Sequence, residues 1–218
     1  MLTRTNTNGR RGFTLVESLF ALTFLAILFL AVAHTSSRAS DAFDEGGEEQ
    51  LLSTEALRCV DHASVALELA ERQSLTPAPA PLGRSQLDFR TPTGFAAGAV
   101  VWGAPQRIAF EQDPLDADDG VDNDGDGRID EGQVAWIESP GTASERRVVW
   151  ARDVSDLLEG EIENDADDNG NGLVDERGLS FEIDDTGNVL TIRLTCERLD
   201  EGRRPLRKTV ETAVRLRN

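Results

Sequence analysis

One stretch limits what this chain can fold into: the 21 residues from Phe13 to Ala33 form a mainly apolar run that holds a single charge, Glu17. As a helix rising ~1.5 Å per residue they would span roughly 31 Å, about the thickness of a bilayer's hydrocarbon core. The twelve residues ahead carry Arg4, Arg10 and Arg11 and no acid. Positive charge there holds the N-terminus in the cytoplasm and sends the body across the membrane. A carboxylate inside such a span costs several kcal/mol, on the order of 2.5–3.5 on insertion scales, unless it is protonated or paired. Glu17 is therefore a functional candidate, with a side chain snorkelling to the interface as the simpler alternative.

A secretory signal would place its cleavage site after the apolar run, whereas the processing point suggested here, Arg11-Gly12, precedes it. The basic leader ending in Gly12, followed by Phe13-Thr14-Leu15-Val16-Glu17, resembles the class III signal of type IV pilins and type II secretion pseudopilins. That resemblance implies cleavage between Gly12 and Phe13 by prepilin peptidase, methylation of the Phe13 amine, and neutralisation of a neighbouring subunit's amine by Glu17. It implies an inner-membrane, single-pass protein with a periplasmic body, whose partners are other major and minor pilins or pseudopilins.

The expected organisation is a leader over 1–12, a transmembrane helix over 13–35, a helical continuation over 36–75 and a β-rich domain over 76–218. Beyond the membrane, Gly46-Gly47 is expected to kink or break the helix. It then resumes with Leu52, Ala56, Cys59, Ala63, Ala66 and Ala70 on one stripe that should pack on a sheet. Three alternating prolines, Pro77, Pro79 and Pro81, end the helix. Strands follow over 86–90, 99–102, 107–112, 133–138 and 147–151. A hairpin then turns at Asp184-Asp185-Thr186-Gly187-Asn188, and the last strand alternates Val210, Thr212, Val214 and Leu216. The fold class is α+β, a long N-terminal helix packed on a mainly antiparallel sheet. The run 147–154, Leu179-Ser180-Phe181 and the closing 214–218 are similar to J-type minor pseudopilins and W-type minor pilins, which implies a pilin-like fold.

Two segments repeat at an offset of 45: Asp122-Asn-Asp124-Gly-Asp126-Gly-Arg128-Ile-Asp130-Glu131 and Asp167-Asp-Asn169-Gly-Asn171-Gly-Leu173-Val-Asp175-Glu176. Side-chain oxygens at positions one, three and five converge on a hard cation, glycine at six allows the turn, and the carbonyl at seven, from Arg128 or Leu173, extends the arc. Position twelve, a bidentate Glu in an EF-hand, is Gln133 in one repeat and Gly178 in the other. Asp130 and Asp175 at nine, or Glu131 and Glu176 at ten, would have to close the shell, helped by water or by Asp118, Asp119 and Glu163. Two calcium sites are expected within loops 118–132 and 163–178, the second weaker because Asn replaces Asp twice. Solvated turns are the alternative.

Two cysteines, Cys59 and Cys196, face an oxidising compartment, where they would be either bridged or buried as free thiols. The formal charge is −18, and loss of the leader's three arginines takes it to −21. Such a surface disfavours nucleic acid, whose phosphates need clustered Lys and Arg. Enzymatic motifs are missing: there is no G-x-S-x-G and no P-loop, and the two histidines are His34, at the end of the apolar run, and His62. The functional expectation is a structural subunit that starts or caps a filament. The alternative is a filament-tip binding module using calcium-ordered loops.

Overall fold

The computed structural model describes residues 14–77, 84–116, 119, 121–123, 125, 131–184, 186–199 and 204–216. Helix α1 covers Leu15–Glu68, a 3-10 turn follows at Arg72–Ser74, and nine strands are found among the described residues. They are β1 (Gln86–Phe89), β2 (Pro92–Ala96), β3 (Ala99–Trp102), β4 (Gln106–Gln112), β5 (Gly132–Glu138), β6 (Arg146–Val154), β7 (Leu179–Ile183), β8 (Val189–Leu199) and β9 (Pro205–Arg215). The fold is α+β.

The chain divides into two compact units at Gly46/Gly47. Both glycines nonetheless keep helical conformation, so the expected helix break is absent. A helical glycine costs only ~1 kcal/mol relative to alanine, which the surrounding hydrogen-bonded turns absorb. The helix ends sooner than residue 75, at Glu68.

Within the first unit, Leu15–Ser40 is an apolar stretch of helix with its side chains uncovered. In the second, seven strands form one sheet in the order β1-β4-β5-β6-β8-β7, with β9 on β8, and β2-β3 form a separate ribbon. Every strand pairing is antiparallel. Strand β2 escaped the sequence reading because Pro92 and Gly94 look like punctuation. It is an exposed edge strand opening on proline, a position where the missing N–H costs no ladder bond.

The stripe expected on α1 is the one that packs. Leu52, Ala56, Cys59, Ala63 and Ala70 are buried, joined by Val60 and Leu67, while Ala66 is only partly covered. They meet Leu87, Phe89, Ile108, Val134, Phe181, Leu190, Ile192, Leu194 and Cys196 from the sheet. The alternation along β8 puts Leu190, Ile192, Leu194 and Cys196 on the buried face, as a period of two requires. At the rim of this core Trp136 stacks on Trp150 at 6.2 Å, and His62 from α1 lies 5.6 Å from the Trp150 ring. His62 is thereby part of the packing.

Charge ties the same helix to the sheet. Arg198 on β8 pairs with Asp153 at 2.5 Å and reaches Glu55 at 3.5 Å, while Glu55 also accepts the Arg152 amide at 2.9 Å. Substituting Ala56→Leu adds volume where no space remains and is expected to cost ~1–3 kcal/mol in denaturant unfolding. Leu57→Ala, on the exposed side of the same turn, should stay within about 0.5 kcal/mol.

Candidate functional site

The helix start is built by a capping box. The Thr14 amide and hydroxyl both donate to Glu17 Oε2 at 3.0 Å, and the Glu17 amide returns a bond to Thr14 Oγ1 at 3.2 Å. The T-x-x-E signature is legible in the sequence, but the sequence reading treated Glu17 alone and missed Thr14. Gly12 and Phe13 lie outside the described residues. From Leu15 to Ser40 the helix is long and apolar enough to cross a membrane, and none of that stretch is buried by the rest of the chain. Hydroxyls within it bond to the helix's own carbonyls: Ser18 donates to Thr14 O at 3.3 Å, Thr23 to Phe20 O at 2.8 Å and Thr35 to Ala31 O at 2.9 Å. Internal satisfaction is what a hydrocarbon environment demands of polar groups.

The two acidic repeats are structural repeats as well, and longer than the sequence motif. Each is closed at its neck by an equivalent backbone bond, Asp113 N–H to Glu131 O at 3.2 Å and Leu158 N–H to Glu176 O at 2.8 Å. Position one caps the turn in both: Gly125 N–H donates to Asp122 Oδ1 at 2.7 Å, and Gly170 N–H to Asp167 Oδ1 at 2.6 Å. Three residues before position one, Asp119 and Asn164 each accept an amide two residues on, at 3.0 and 2.8 Å. Six residues before it, Asp116 and Glu161 are buried carboxylates that the sequence reading missed. A single acid upstream of a motif carries no signal, and only the 45-residue offset pairs the two.

Asp124, Asp126, Arg128 and Asp130 lie outside the described residues; Asp122 and Glu131 are described. All of the second repeat is visible, with Asp167, Asn169 and Asn171 exposed, Leu173 buried and Asp175 half-buried. Glu131 and Glu176, both at position ten, are buried, the latter with 2% exposure. Among the described residues no three His, Cys, Asp or Glu side chains converge as a metal-binding group.

Cys59 and Cys196 are free thiols, both buried, so the bridge weighed from the sequence is not formed in this structure. They lie in the same core, one on the helix and one on β8. Burial pushes the Cys59 thiol up to about 12, with the Glu55 carboxylate adding to it. Burial likewise raises Cys196, with Cys59 and Glu55 contributing. A thiol this far from ionising is a packing group and no nucleophile.

Scanned against family models, curated proteins and solved structures, the chain matches none.

Thiol titration tests the redox state: no reaction in the native protein at neutral pH, and two thiols per chain in denaturant without reductant. Two sulfurs that stay silent after unfolding would identify a bridge. Because burial lifts the folded Cys59 thiol above its ordinary value of 9.0, the associated stability is complete below that pH and lost as pH rises from 9.0 towards about 12. Thermal melts across that window should show the decline, and Cys59→Ala should flatten it.

Proposed function

We propose that the chain is a minor pilin or pseudopilin, a structural subunit that initiates or caps a type II secretion pseudopilus or type IV pilus. The observation that carries this reading is a single helix with two environments. Its first part is apolar and uncovered, and its second part is locked by a stripe of small residues into an antiparallel sheet. That combination suits a subunit held in a membrane until it is drawn into a bundle of like helices. The basic leader favours a cytoplasmic N-terminus, and the resemblance implies the inner membrane and a periplasmic body.

Glu17 carries assembly in this reading. Its carboxylate is satisfied within one chain by Thr14. In a helix bundle the same group would exchange those bonds for the amine of a neighbour's Phe13, trading two neutral donors for an ion pair in a low-dielectric setting. Partners are therefore other pilins or pseudopilins and prepilin peptidase, with nucleic acid disfavoured by the −18 charge. A filament-tip binding module is the second reading, favoured by the run of exposed side chains over 163–171 in the second acidic loop.

Intact mass of protein extracted from the native membrane tests the core of this. The expected species begins at Phe13 and carries one added methyl group; a chain still beginning at Met1 would sink the reading. Glu17→Leu should leave membrane insertion intact and abolish recovery in sheared filaments, while Thr14→Ala should have a smaller effect.

A further inference from the structure

We infer that the loop from Glu161 to Glu176 is a calcium site whose shell is closed by Glu176 at position ten. Asp167, Asn169 and Asn171 supply side-chain oxygens, and Leu173 its carbonyl. This goes beyond filament assembly and stands independently of it.

The observation that points to a ligand is the Glu176 carboxylate. Its Oε1 accepts from Asn171 Nδ2 at 2.6 Å, which places the group against the position-five side chain. Its Oε2 is shielded from solvent and has no hydrogen-bond partner. Leaving a buried acceptor unsatisfied is unfavourable, and more so when it is charged. The surrounding loop is otherwise exposed, so an outward rotamer would hydrate that oxygen. A cation bound beside Asn171 removes the penalty without moving the side chain.

Two further findings choose Glu176 over its rivals. Asp175 commits both oxygens to backbone amides, Oδ1 to Asn164 at 3.1 Å and Oδ2 to Asp165 at 2.8 Å. It shapes the loop and faces the 164–165 backbone. Position twelve is closed to any side chain, because a Cβ on Gly178 would stand 1.8 Å from the Ser155 carbonyl oxygen. The ligand that an EF-hand places there has therefore moved two residues earlier.

Glu161 is a positioning residue. Its Oε1 accepts the Asn169 amide at 3.1 Å and its Oε2 the Asp175 amide at 3.2 Å, which clamps the two limbs of the loop together. Asp167 holds the turn between them through the amides of Gly170 and Gly172, both at positive φ. Asp167 Oδ1 accepts two amides, from Gly170 and Asn171, whereas Asp167 Oδ2, Asn169 Oδ1 and Asn171 Oδ1 each accept one and keep a second lone pair for a cation. The set is all oxygen, with two carboxylates among five ligands, which agrees with the absence of a convergent trio of acids. Neutral amides and a carbonyl in an irregular arc suit calcium, which accepts 6–8 oxygens; magnesium demands near-octahedral order and dehydrates reluctantly.

The test is calorimetric titration of calcium chloride into the full chain in detergent, stripped with chelator. An Asp122→Ala background silences the other repeat. The expected result is one site with Kd on the order of 10⁻⁴ to 10⁻³ M. Glu176→Gln, which keeps shape and removes charge, should weaken it ~10-fold or more, the ratio that ~1.4 kcal/mol represents. Unchanged affinity in that variant, or no binding in the parent up to about 10 mM calcium, overturns the assignment. If Glu176→Gln does not fold by circular dichroism, the exposed Asn169→Ala takes its place; full affinity there overturns it equally. Magnesium binding as tight as calcium would overturn the choice of ion.

Discussion

The close seat of a small-residue stripe on an antiparallel sheet is the contact on which the rest of this structure depends. Ala56, Cys59, Ala63 and Ala70 present little more than backbone, so the helix approaches until the larger side chains of the strands fill the space around it. Full burial of residues such as Phe89, Phe181, Leu190 and Ile192 contributes ~1.5–3 kcal/mol each. Along the same helix, Leu15 to Ser40 has side chains of the opposite kind, large and uncovered, including Leu15, Phe24 and Leu30. Water would penalise that surface, while a bilayer or a bundle of similar helices would not. The chemistry of one helix thus changes along its length, from large uncovered side chains to a small-residue stripe seated on a sheet.

Much of this was legible in the sequence because it depends on period. The four-and-three spacing of the α1 stripe and the alternation of Leu190, Ile192, Leu194 and Cys196 on β8 each require a particular buried face, and those residues are buried; on β7 Leu179 and Phe181 are buried, but so is Ser180 between them. What was not legible depends on context. Gly46-Gly47 read as a break because glycine lowers helix propensity, yet propensity is a weak term beside the hydrogen bonds of a 54-residue helix. Pro92 and Gly94 hid an edge strand because the sequence does not say which strand lacks a neighbour. The spacing of Cys59 and Cys196 left bridge and free thiol equally open, and only packing separates them.

For the acidic loops the sequence supplied the arc and withheld its closure. Positions one, three and five are visible as a motif, since their residue types are unusual together. Glu176 against Asp175 was undecidable, because adjacent acids differ only in which way the backbone turns them. Glu161 and Asp116 were invisible for a related reason: each works by accepting backbone amides from across its loop, at 3.1 and 2.8 Å, and such a contact leaves no local pattern. Gly178 looked like a missing ligand and is instead a steric requirement of the neighbouring strand end.

The placement of these loops ties their order to the core. One loop lies between β4 and β5, the other between β6 and β7, and each neck is pinned by a backbone bond to the position-ten glutamate. In the second, the Thr195 amide reaches the Gly178 carbonyl at 2.7 Å, and the Ser155 amide reaches the Thr195 carbonyl at 3.0 Å. Residues 155, 178 and 195 therefore join the loop's base to β8 at the residue before Cys196, whose side chain sits in the core with α1. Carboxylates crowded into 161–176 repel one another, and that repulsion is resisted where the loop is stapled, at its base. Neutralising the loop would lower that repulsion at its base, where backbone bonds join it to β8.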